Sequence, residues 1–182
     1  MPRIHPVADP DERQGALLAK VKAQLGRVPN ILATMAQAPA LLEGYLGFSQ
    51  TLGQGTLSAA EREAIALLVA GRNGCHYCAA AHTAIGKLAK VPGQELAANL
   101  TGQSGDPRRQ ALLDLAGEVL ADTGRVSDAT LARVRAAGYD DAQILETVGQ
   151  VALNVFTNSL NHLAGTVVDF PAVAVPSSAE AA

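Results

Sequence analysis

The chain has 182 residues, 48% hydrophobic but only 3% aromatic, with no tryptophan and a formal net charge of −3. That length is consistent with one domain, and a core short of aromatics but rich in Ala, Leu and Val favours close helix packing over a sheet sandwich, so an all-α protein is expected. Lysine and arginine occur singly or in pairs such as Arg108-Arg109, which offers nucleic acid no basic stripe; no apolar run has signal-peptide or bilayer-spanning length, so no membrane association and a cytoplasmic location are expected.

Helix punctuation is legible along the chain. Asp9-Pro10 reads as an N-cap with proline at the first helical position, followed by Leu17, Leu18, Val21 and Leu25 on one face and Gly26 as the stop. Pro29 and Pro39 open two more helices, so that residues 9–52 form a helical lead-in. Ser58-Ala59-Ala60-Glu61 matches a capping box, and the helix it starts should run to the Asn73-Gly74 stop. A helix beginning at the cysteine pair should continue to about Lys90, ahead of Pro92, giving an antiparallel hairpin over residues 58–90. Asp106-Pro107 starts the next helix, Ser127 caps a short one ending at Gly138, and Asp140 opens a long one reaching about Gly165. The Pro-, Ala- and Ser-rich tail, residues 171–182, is expected to be a flexible terminus or an arm on a neighbour.

Chemistry concentrates in Cys75-His76-Tyr77-Cys78-Ala79-Ala80-Ala81-His82, which holds the only two cysteines and two of the four histidines. Cys75 and Cys78, three apart, sit on one side of a first helical turn, where free N–H groups and the macrodipole favour a thiolate. His82, four residues beyond Cys78, is spaced to sit over that thiol and exchange its proton. In a reducing cytoplasm such a pair is more often catalytic or metal-binding than a structural staple. Three readings stay open on spacing alone: a redox dithiol, a zinc site that needs a fourth ligand from His162 or His5, and inert buried thiols.

Glu63, eleven residues, then Cys75-x-x-Cys78-x-x-x-His82 resembles the core motif of the alkylhydroperoxidase D (AhpD) family within the carboxymuconolactone decarboxylase-like superfamily. Phe156-Thr157-Asn158-x-x-Asn161-His162 and Asp169-Phe170-Pro171 look like the longer, peroxidase-related branch. The resemblance implies an AhpD-like bundle of helical hairpins forming one domain over residues 1–182, assembly into trimers or hexamers, and reduction of small hydroperoxides without a bound metal or cofactor. It implies re-reduction by an external dithiol, a lipoyl-bearing or thioredoxin-like protein. Carried over by position, Cys78 resembles the peroxidatic cysteine, Cys75 the resolving one, and His82 with Glu63 the proton relay. Tyr77 falls where the founding type has a second relay histidine; a tyrosine, with an ordinary pKa near 10, donates a hydrogen bond but carries protons poorly near neutrality.

The last long helix adds a polar stripe of Asn154, Asn158 and Asn161 beside His162. Hydrogen bonds across a helix seam are one expectation for it; a substrate pocket with His162 facing the dithiol is the other. Rival functions are a lactone decarboxylase or isomerase, for which this fold would need no cysteines, a general thiol-disulfide oxidoreductase, and a zinc-stabilised or structural oligomer.

Overall fold

The computed structural model describes residues 1–175, and its described residues form nine helices and no strand. They are α1 (Glu12–Leu25), α2 (Asn30–Met35), α3 (Pro39–Gly53), α4 (Ala59–Arg72), α5 (His76–Leu88), α6 (Gly93–Asn99), α7 (Pro107–Ala121), α8 (Asp128–Ala136) and α9 (Asp141–Ala164).

Local chemistry sets most of these boundaries. Ser58 accepts the Glu61 N–H while Glu61 accepts the Ser58 N–H at 2.8 Å, the capping box read from the sequence. The Asp106, Ser127 and Asp140 caps are likewise in place. The first helix corrects the expectation: its cap is Asp11, not Asp9. Asp11 Oδ1 accepts the Gln14 N–H at 2.8 Å and Gln14 Oε1 accepts the Asp11 N–H at 3.0 Å, so a reciprocal box places the boundary past Pro10. Helix α6 was not anticipated between Pro92 and Asp106. Its seven residues, about two turns, are anchored by Leu96 and by Leu100 just past the end, both buried.

Helix α4 is the axis of the bundle and packs against α5, α6, α7 and α9. It separates two apolar cores. Leu67 and Ala70 face the first, with α1, α2, α3, α5 and α6; Ala64, Ile65, Leu68 and Val69 face the second, with α7, α8 and α9. A helix with apolar residues on both sides of its circumference is enclosed along its middle; residues 64–71 of α4 are all buried, and Glu61 is buried as well. That carboxylate stays charged because Ser58, the Tyr139 hydroxyl at 2.7 Å and Arg108 satisfy it.

After α9, Gly165 adopts a left-handed φ of +60° and the chain turns back across the first core. Asp169 and Phe170 lead this strap, and Val173 and Val175 pack on the core, so the start of the expected flexible tail lies on its own chain. Residues 176–182 of that tail lie outside the described residues. None of the described helices is long and apolar enough to cross a membrane.

Candidate active site

The α4–α5 hairpin builds the site. Gly74, with φ +63°, makes the turn that no β-carbon favours, and Cys75 follows as the N-cap of α5. Its Sγ takes the position usually held by a serine or aspartate oxygen and accepts the Cys78 N–H at 3.3 Å. The two sulfurs are 2.7 Å apart, both thiols are free, and Cys75 and Cys78 are 2% and 3% exposed. One turn further along α5, His82 Nδ1 lies 2.8 Å from Glu63 Oε2 of α4. Because a carboxylate only accepts, Nδ1 carries the proton and Nε2 is the nitrogen left to act.

Charge within the dithiol divides unevenly. Hydrogen bonding from Cys78 lowers the pKa of the Cys75 thiol against the opposing effect of burial, and His82 adds a favourable charge. Cys78 is pushed up, first by Cys75 and then by burial. Burial disfavours a charged His82, yet the Glu63 carboxylate outweighs it and the imidazole pKa is raised. Of the two thiols Cys75 is therefore the more readily ionised, beside an imidazole whose protonation Glu63 favours.

Cys78 and His82 line one cavity of about 280 Å³ walled by Leu25, Ile31, Leu32, Ile85, Leu88 and Phe170. A second cavity, about 450 Å³ and more polar, lies on the Glu63 side and is bordered by Ser49, Gln50, Arg62, Gln150 and Asn154. His82 and Tyr45 border both. Cys75 borders neither. Among the described residues no group of three His, Cys, Asp or Glu side chains is placed to hold a metal ion, so the dithiol and His82 gain no fourth ligand from His162 or His5.

Residues 39–118, which contain Glu63, both cysteines and His82, match the model of the Carboxymuconolactone decarboxylase family. The chain is similar to this family over that stretch, which is less than half of its length. Its fold matches that of an alkylhydroperoxidase AhpD core protein, an uncharacterised peroxidase-related protein from Ralstonia eutropha JMP134, at a TM-score of 0.83 and 23% identity over 91% of this chain and 92% of that one. An uncharacterised peroxidase-related protein from Silicibacter sp. TM1040 matches at 0.80 with 23% identity over 91% and 92%. A cysteine-to-alanine variant of the debrominase Bmp8, in complex with 2,3,4-tribromopyrrole, matches at 0.77 with 17% identity over 92% and 91%. No curated protein sequence matches the chain.

Several contacts of the site depart from the sequence reading, within the motif and beyond it. The expected His82–Cys78 hydrogen bond is not formed among the described residues: Glu63 holds Nδ1, and the Cys78 sulfur instead accepts Asn161 Nδ2 at 3.2 Å. Tyr77 is a latch. Its hydroxyl donates to Asp169 Oδ1 at 2.7 Å and accepts the Ile31 N–H at 3.2 Å, while burial and Asp169 push its pKa further up. His162 does not face the dithiol. It is exposed, with Nε2 3.1 Å from the Asn73 carbonyl, because one residue along α9 rotates a side chain by about 100°.

The polar stripe divides its roles accordingly. Asn154 Nδ2 donates to the Gln150 carbonyl at 2.8 Å, Asn158 accepts from Asn73 Nδ2 at 3.0 Å across the α4–α9 seam, and Asn161 alone touches a thiol. Sequence reasoning named Asn161 only as a stripe member; its signal was the i, i+4, i+7 spacing, which gives a face but no neighbour. Tyr45 carried no signal, and its pKa is raised by burial, with Cys78 and Glu63 contributing.

Proposed function

We propose that the protein is a cysteine-dependent peroxidase acting on small apolar hydroperoxides. The observation that carries this reading is the Cys78 sulfur lining an apolar cavity with a second sulfur 2.7 Å behind it. Cys75 is the more readily ionised thiol, but only Cys78 borders the cavity; once Cys75 loses its proton, the Cys78 proton crosses the short gap to it and leaves Cys78 the thiolate at the moment of attack. Cys78 attacks the distal oxygen, the O–O bond breaks, and the departing alkoxide takes a proton from the His82 imidazolium. Cys78 is then a sulfenic acid. Cys75 attacks its sulfur, the S–O bond breaks as the Cys75–Cys78 disulfide forms, and the departing hydroxide takes the Cys75 thiol proton and leaves as water. Glu63 favours the charged form of His82 for the first step, and the polar second cavity supplies its replacement proton.

An external dithiol closes the cycle. With both sulfurs at 3% exposure or less, a slender dihydrolipoyl arm fits the approach through the cavity better than the active-site face of a folded thioredoxin-like protein. Turnover of cumene hydroperoxide with dihydrolipoyl reductant tests the reading. Cys78→Ser should abolish turnover, and Cys75→Ser should allow one oxidation per chain without cycling. Full turnover by Cys78→Ser, or two cysteines that never bond to each other, would sink it.

The aromatic side of the same cavity, with Tyr45, Tyr77 and Phe170, supports a second reading prompted by the debrominase likeness. A halogenated aromatic ring would be reduced by two electrons, the dithiol becoming the disulfide while halide and a proton are released. Halide release from a bromopyrrole in the absence of peroxide separates the two.

A further inference from the structure

Asn161 is 5% exposed and belongs to the wall of the Cys78 cavity, and its amide is half used. Nδ2 donates to Cys78 Sγ at 3.2 Å; Oδ1 is buried and has no hydrogen-bond partner among the described residues. Leaving a buried carbonyl oxygen unpaired carries a real cost. Nothing in the helix requires it, since α9 closes its own ladder and Asn161 contributes only its backbone carbonyl to the Gly165 cap. The unpaired acceptor sits on the same amide group that touches the sulfur.

We propose that Asn161 is a catalytic residue that serves Cys78 in two successive states: Nδ2 donates to the thiolate before attack, and Oδ1 accepts the O–H of the sulfenic acid after it. The inference rests on the peroxidase reading. In the first state a hydrogen bond to the negative sulfur favours the reactive form. In the second, the distal oxygen of the hydroperoxide has become part of Cys78–S–O–H, a group with one donor and no protein partner in the reduced site. Oxidation converts the sulfur's need from a donor to an acceptor, and one amide carries both. A sulfenic acid held this way is oriented for attack by Cys75 and kept from a second hydroperoxide, which would drive it to sulfinic acid.

The test uses the full chain carrying Cys75→Ser, in which the sulfenic acid cannot resolve. After one equivalent of cumene hydroperoxide, the acid is trapped with a 1,3-dione at increasing delays and counted by mass spectrometry. Separately, the rate of Cys78 alkylation by iodoacetamide is followed against pH, a readout independent of peroxide chemistry. Asn161→Leu removes both functions: alkylation should shift to higher pH and the sulfenic acid should decay about tenfold faster, the scale of one lost hydrogen bond. Asn161→Asp keeps an acceptor but loses the donor and adds charge, so it should share the pH shift while retaining the long-lived acid. This split is what a merely structural role would not produce. Equal lifetimes in Asn161→Leu and its parent, or Asn161→Asp behaving as Asn161→Leu, would overturn the assignment while the peroxidase reading stands. If the parent with Asn161 gives no dione adduct at all, the peroxidase reading fails and the inference with it.

Discussion

Burial and charge pull His82 in opposite directions, and the winner sets the chemistry of the site. Its side chain is 22% exposed, so desolvation disfavours imidazolium, but Glu63 at 2.8 Å raises the pKa above the ordinary value of about 6.5. For a group whose folded pKa is raised, the stabilising contribution is fully present below the unfolded value and is lost as pH rises through the folded one. Glu63→Gln keeps an acceptor and removes the charge, leaving burial to act alone. The His82 titration followed by NMR should then move from above the ordinary value to below it. The urea midpoint of wild type should exceed that of Glu63→Gln below about pH 6.5 and converge with it as pH rises. An unmoved titration would show that Glu63 does not control the imidazole.

At the scale of elements, glycine has opposite effects on two helices. Gly71, in the last turn of the enclosed α4, lies against the chain leaving α6: a β-carbon there would overlap the Leu100 carbonyl oxygen and stand 2.9 Å from its carbon. Both are backbone atoms that cannot rotate away. Gly71→Ala should therefore destabilise by about 1–3 kcal/mol or more through overpacking. Gly44, exposed within α3, has nothing within 4 Å of such a carbon. There the same substitution should stabilise by roughly 0.5–1 kcal/mol through helix propensity alone. Urea unfolding of the two variants checks the contrast, and a loss at both positions would refute it. The hairpin that holds the dithiol depends on this close approach, because α4 is the helix against which α5 and α6 both pack.

Across the whole molecule, one carboxylate joins the end of the chain to its beginning. Asp169 accepts the Tyr77 hydroxyl at 2.7 Å and the Asn30 N–H at 3.1 Å and pairs with Arg27. Phe170 then stands edge-on to Tyr77 with ring centroids 5.7 Å apart, and the Arg27 guanidinium lies 4.6 Å from its ring centre. The strap thus covers the first core and supplies a wall of the Cys78 cavity. Asp169→Ala leaves a buried hydroxyl and a helix N-terminal N–H unpaired, at a cost of about 1–3 kcal/mol. Cleavage within residues 166–175 by a dilute protease should quicken, and iodoacetamide should reach Cys78 faster. A strap cleaved no faster than in wild type would show that Phe170, Val173 and Val175 hold it unaided.

What the sequence determined by itself was local. Helix class followed from composition and periodicity, and most boundaries from caps such as Ser58, Ser127 and Asp140, whose partners lie three residues away. The Cys75–Cys78 pair was equally legible, since its spacing on one turn leaves little freedom, and the motif supplied Glu63 from a neighbouring helix. The tertiary structure alone decided which groups meet across long separations. It put Asn161 rather than His82 on the Cys78 sulfur, turned His162 outward, and made Tyr77 the anchor of a strap ninety-two residues away. Helix periodicity gives the face on which a side chain lies but not the helix that face will meet, and hydrogen-bond partners are settled only when the cores on either side of α4 close.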